Sequence, residues 1–124
     1  MIRLDTHVVV WLFAGSLDQL SPVAYRLLDE EQLAVSPMVE LELTYLHEIG
    51  RINPTGTEVV ADLADRIGLA TSGLLLSHVV AEAKPLSWTR DPFDRMIVAD
   101  AIAAGELLLT RDEHIRAHAA NAIW

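Results

Sequence analysis

Four carboxylates stand where a carboxylate is costly. Asp5 directly follows Ile2-Arg3-Leu4, and Asp112 comes two residues after Leu107-Leu108-Leu109-Thr110. Ser36-Pro37 opens a helix that the spacing carries to Ile49, with Gly50 as its stop. On a wheel of 100° per residue, Met38, Val39, Leu41, Leu43, Tyr45, Leu46 and Ile49 make one apolar face, and Glu42 falls in its middle. Glu40 points away, and Glu48 lies toward the edge. In the helix after Pro92, the apolar stripe Ile97, Val98, Ala101 and Ile102 begins three residues after Asp94. Asp94 therefore heads that stripe, while Asp100 lies well off its centre. A charged carboxylate on a buried stripe must be paired or must bind a metal.

Two readings of Asp94 stay open. It can be a ligand, or it can be the third-position acid of a capping box, reaching back to the Asp91 backbone. Asp91 itself reads as a helix cap, with Pro92 in the first helical position. If all four acids converge, they form an all-oxygen donor set whose charges repel one another. A divalent cation resolves that repulsion, and oxygen donors select magnesium or manganese over zinc. Such an ion is a common device of phosphoryl chemistry.

The elements that must position these acids alternate. Met1–Leu4 reads as a strand, followed by a helix His7–Ala14 capped by Thr6 and stopped by Gly15. A second helix runs from Ser21-Pro22 to Glu31, and Leu33–Val35 is a strand that leads into the Glu42 helix. Thr57–Ile67 is predicted helical, Leu69–Thr71 a strand, Leu74–Ala83 a helix and Lys84–Arg90 a loop. Pro92–Ala104 is a helix ended by Gly105, Leu107–Thr110 a strand, and a short helix starts near Asp112. Ala122–Trp124 is a last edge strand. This order predicts one α/β domain over residues 1–124, a three-layer α/β/α sandwich around a mainly parallel sheet. In such sheets the ligand site lies beyond the carboxyl ends of the strands, where Asp5 and Asp112 fall.

Composition narrows the class. The 124 residues are 52% hydrophobic and 22% charged, a globular balance. The absence of cysteine excludes a disulfide scaffold, a thiolate zinc site and a cysteine nucleophile, and it fits a cytoplasmic location. No apolar run approaches the roughly 20 residues of a membrane span, and the first residues do not read as a signal peptide. The formal charge of −9 opposes casual binding to nucleic acid or an anionic membrane and favours a basic partner. Eight of the nine bases are arginine, the side chain suited to carboxylate and phosphate.

The motifs resemble those of PIN-domain ribonucleases, in family order and across nearly the whole chain. Leu4-Asp5-Thr6-His7 followed by an apolar helix with Trp11 resembles the opening motif. Ser36 and Glu42, with Leu43 and Gly50-Arg51, resemble the second. Arg90-Asp91-Pro92-Phe93-Asp94-Arg95, with Ile97 and Ala99, resembles the third as found in VapC-type toxins, and Leu107 to Asp112 resembles the fourth. The resemblance implies an endoribonuclease toxin of a type II toxin–antitoxin pair, dependent on Mg2+ or Mn2+. It also implies a homodimer and neutralisation by a cognate VapB-like antitoxin with basic residues.

By the same resemblance, Asp5, Glu42, Asp94 and Asp112 carry the metal and the catalysis, and Thr6, Ser36 and Thr110 are polar residues around them. Arg90, Arg95 and Arg111 are candidate phosphate contacts, with salt bridging to nearby acids as the structural alternative. Two departures flank the site: Trp88-Thr89 where many relatives carry histidine, and Asp100 in place of a glutamine. His7 is expected to start a helix and point elsewhere. His114 and His118 are expected to be exposed helix residues. Leu74-Leu75-Leu76 and Val79-Val80 are expected in the core or between subunits. Two other classes fit the size and order: a non-catalytic PIN-like module that binds RNA or protein, and a phosphoacceptor receiver domain. The receiver needs a mid-chain aspartate at a strand end, and residues 53–58 are Asn-Pro-Thr-Gly-Thr-Glu.

Overall fold

The computed structural model describes all of residues 1–124. Five short strands form it: β1 (Ile2–Leu4), β2 (Leu33–Val35), β3 (Ala70–Thr71), β4 (Leu108–Leu109) and β5 (Ala122–Ile123). Seven helices connect them: α1 (Thr6–Ala14), α2 (Pro22–Glu30), α3 (Pro37–Glu48), α4 (Gly56–Ile67), α5 (Leu76–Ala83), α6 (Pro92–Ala104) and α7 (Glu113–His118). A single 3-10 turn, Leu17–Gln19, lies between α1 and α2. The sheet runs β3-β2-β1-β4-β5, and every neighbouring pair is parallel. Parallel strands this short need helical cover on both faces, and the α/β/α arrangement supplies it.

The order decides where a site can lie. From the central β1 the chain winds outward through β2 and β3, then returns to the other side of β1 for β4 and β5. The crevice opens between the carboxyl ends of β1 and β4, where the winding reverses. The order also differs from the 2-1-3-4-5 of receiver-type sheets, which removes the receiver reading. Residues 53–58 lie in the α3–α4 connection and the start of α4, at no strand end.

The core is built from the inward sides of these elements. Leu4, Val9, Val35, Val39, Leu43, Val98, Leu108 and Leu109 are all fully buried, and each contributes about 1.5–3 kcal/mol relative to exposure. Proline at the first turn of α2, α3 and α6 follows a capping Ser21, Ser36 or Asp91, as the sequence predicts. Gly56 starts α4 against α3. A Cβ there would stand 2.5 Å from the Glu40 carbonyl oxygen, so no other residue fits this contact.

Several expectations need correction. The α1 cap is Asp5, whose carboxylate accepts the Thr6 N–H, so Thr6 is the first helical residue instead of the cap. Leu41, Tyr45 and Ile49 are about half exposed instead of core, and α3 buries only Val39 and Leu43 completely. Leu74, Leu75, Leu76 and Val80 are exposed as well, which corrects their placement in the core, and Val79 is buried. Asp100 is the reverse case: it is 2% exposed. Helix α6 is wedged between α5 and the rest of the fold, so its buried surface is wider than one stripe. The Arg3 guanidinium meets the buried Asp100 at 3.0 Å and the partly exposed Glu106 at 2.7 Å, forming an ion triad.

Candidate active site

Asp5 sits at the carboxyl end of β1, almost completely buried. Its Oδ1 accepts the Thr6 N–H at 2.8 Å, and its Oδ2 accepts the Thr110 hydroxyl at 2.6 Å. Burial pushes its pKa up, and those two hydrogen bonds oppose the rise. The same Thr110 oxygen accepts the Asp112 N–H at 3.1 Å. One hydroxyl, at the end of β4, thus locks the strand ends carrying Asp5 and Asp112 to each other. Asp112 caps α7 through Oδ1, which accepts the Ile115 N–H at 2.9 Å.

Glu42 approaches from α3. Its Oε1 accepts the hydroxyl of the fully buried Thr6. Desolvation raises its pKa first, and the Asp5 and Asp91 charges raise it further. Asp94 enters from the first turn of α6 and is half-buried. Its pKa climbs from 3.8 to about 7 through burial and then through the charges of Asp91, Asp5, Glu42 and Asp112. Asp94 therefore feels the charge of each of the other three predicted acids at one end of the sheet.

The capping-box reading of Asp94 does not hold. The Asp91 backbone N–H donates to the Thr89 hydroxyl at 3.2 Å, which leaves nothing for Asp94 to reach back to. Asp91 does cap α6, accepting the N–H groups of Phe93 and Asp94. Ser36 caps α3 through the Met38 N–H. Arg95 donates to the Ala83 and Lys84 carbonyls at 2.9 and 2.8 Å, which fixes its guanidinium against the end of α5. Arg111 donates to Gln19 Oε1 at 2.8 Å. Arg90 is exposed.

Two features escaped the sequence reading. His7 does not point elsewhere: with Asp5, Trp11, Arg111 and Asp112 it lines a cleft of about 290 Å³. Its position in the first turn of α1, two residues from Asp5, is the signal that could have placed it. The Arg3 triad is the second, and an arginine inside a buried strand already demands a partner. His114 and His118 are exposed as expected but carry Trp88, whose ring stacks on His118 at 5.2 Å.

No three acidic or histidine side chains stand close enough in this arrangement to hold a metal ion. The donor set nonetheless suits a hard divalent cation. It is all oxygen, it is partly desolvated, and neighbouring acid charges add to the raised pKa of Asp5, Glu42 and Asp94. Closing the carboxylates further without a cation would increase the repulsion that already lifts Asp94.

The parallel sheet, the crevice at its winding reversal and the acids around it define a PIN-type fold. The model of the PIN domain family matches residues 2–121, and the chain belongs to that family. Ribonuclease VapC22 of Mycobacterium tuberculosis (strain ATCC 25618 / H37Rv) is 31% identical over 123 residues, covering 94% of this chain and 91% of that protein. That likeness places the chain among the VapC-type members. The toxin–antitoxin complex VapBC2 of Rickettsia felis, solved bound to a DNA fragment from its promoter, contains a chain of the same fold. It superposes with a TM-score of 0.68 at 20% identity, over 99% of this chain and 96% of that one.

Proposed function

We propose that this chain is an endoribonuclease toxin that hydrolyses RNA phosphodiester bonds with Mg2+ or Mn2+ and is neutralised by a VapB-like antitoxin. The observation that carries the reading is that the pKa of Asp94 is raised by the charges of Asp5, Glu42 and Asp112 together, at the carboxyl end of the sheet. It is supported by the ribonuclease name of the VapC22 relative and by the antitoxin-bound state of the Rickettsia felis neighbour.

Asp5, Glu42 and Asp94 would hold the ion, with Asp112 completing the ring. A bound ion supplies charge neutralisation for the phosphodiester and an activated water nucleophile. The chain's own contribution is orientation. Thr110 fixes Asp5 Oδ2, the Thr6 hydroxyl fixes Glu42 Oε1, and the Thr6 N–H fixes Asp5 Oδ1. Two carboxylates from two elements are thereby aimed by a threonine pair, at little entropic cost on binding. Intact acids in this arrangement favour a nuclease over a non-catalytic module. The net charge of −9 fits an antitoxin that places a basic side chain in the acidic crevice. The exposed Leu41, Tyr45 and Ile49 of α3 support association of two copies.

Sequencing of RNA ends after expression of the chain tests this, beside an Asp5→Asn control. New ends at defined positions, absent in the control, are expected. An RNA population identical in the two strains would overturn the proposal.

A further inference from the structure

The cleft lined by Asp5, His7, Trp11, Arg111 and Asp112 carries more than the acids need. Trp11 is half-buried, with Trp124 packed against it at 5.8 Å between ring centroids, so the indole is held in place. The exposed His7 ring lies 6.2 Å from Trp11 and tilted 44° to it. The Arg111 guanidinium sits 5.7 Å from the Trp11 ring centre, with Nη1 tied to the neutral amide of Gln19. Arg111 shares this cleft with two acids and forms no salt bridge to either. Its charge is fixed and unspent.

A well of carboxylates repels the backbone of a nucleic acid. A fixed cation on its rim offers one phosphate a place to sit, and a flat exposed ring beside it offers a base a place to stack. We propose that this cleft binds the nucleotide adjoining the scissile phosphate of single-stranded RNA, with the base on the His7 ring and a phosphate on Arg111. The inference rests on the nuclease reading and adds to it the residues that select the cut position.

The test pairs two measurements. Binding of a labelled single-stranded oligoribonucleotide is read in an Asp94→Asn background with magnesium, which keeps the RNA whole. Cut-site patterns and KM are read with Asp94 intact. His7→Ala is expected to weaken binding at least about fivefold, the lower end for one lost base–aromatic stack. It should also raise KM and relax the base preference beside the cut, while His7→Phe retains binding. Arg111→Gln should lower the slope of log K against log salt by about one. If His7→Ala leaves both binding and cut pattern unchanged while the chain cleaves RNA, the cleft is not the subsite and the nuclease reading stands. If the chain cuts no RNA but His7→Ala weakens its binding, the nuclease reading and the cut-site assignment fall together, and the cleft is an RNA-binding site only. Neither binding nor cleavage overturns both.

Discussion

Replacing Asp94 by asparagine removes one charge from the acid cluster and keeps the shape of the side chain. Asp94 has a pKa raised from 3.8 to about 7 by burial and by four neighbouring acids. The folded state therefore holds a proton that the unfolded chain releases near pH 4. The sign follows: stability is greatest below the unfolded value and falls as pH rises through the acid range to about 7. At ~1.36 kcal/mol per pH unit the full effect is ~4 kcal/mol. Solvent reaches the half-exposed carboxyl and screens it, which reduces the loss to ~1–2 kcal/mol. The amide of the variant cannot ionise, so D94N does not suffer this loss. In chelator at pH 7.5 or so, D94N should melt roughly 3–8 °C above the unsubstituted chain. Near pH 4 the two should melt together. Circular dichroism melts from pH 4 to 8 at one protein concentration read this directly, and the fixed concentration matters because association shifts the midpoint. A variant that melts lower at neutral pH, or a difference that does not change with pH, would refute the electrostatic reasoning.

Other substitutions probe the supports of the site. Arg3→Met leaves Asp100 and Glu106 without their cation and should cost about 3–5 kcal/mol in denaturant unfolding. Gly56→Ala forces a Cβ against the Glu40 carbonyl and should cost about 1–3 kcal/mol by the same measurement. Thr110→Val removes the hydroxyl that joins Asp5 to the Asp112 backbone; it should lower cleavage about tenfold or more while the far-ultraviolet spectrum is unchanged. Antitoxin association should slow as salt rises, read by stopped flow, since an acidic crevice steers a basic partner.

Much of the fold was legible because its signals are local. Ser-Pro and Asp-Pro caps, glycine stops and short apolar runs mark elements whatever they pack against, and their alternation implies the parallel sheet. The site was legible for a different reason: Asp94 heads a stripe that α6 does bury, and Glu42 was singled out by an apolar face of α3 that the fold buries only at Val39 and Leu43. What was hidden depends on the far side of each contact. A wheel cannot tell that Leu41, Tyr45 and Ile49 turn outward while Val39 and Leu43 turn inward, because all five are apolar. It cannot tell that Asp100 is buried, because its partner Arg3 is 97 residues away on β1. His7 and Arg111 meet only once β1 and β4 lie side by side, so their shared cleft has no linear signature.

The central claim is that Asp5, Glu42 and Asp94 hold one divalent cation. A manganese-binding isotherm on the purified chain tests it most directly, beside D5N, E42Q, D94N and, as a distant control, Asp62→Asn, whose carboxylate pairs with Arg66 on the surface of α4. Saturable binding by the unsubstituted chain and by the Asp62 variant is expected, with at least about tenfold weaker binding in each of the other three. Equal binding by all five proteins, or no saturable binding by the unsubstituted chain, would contradict the account.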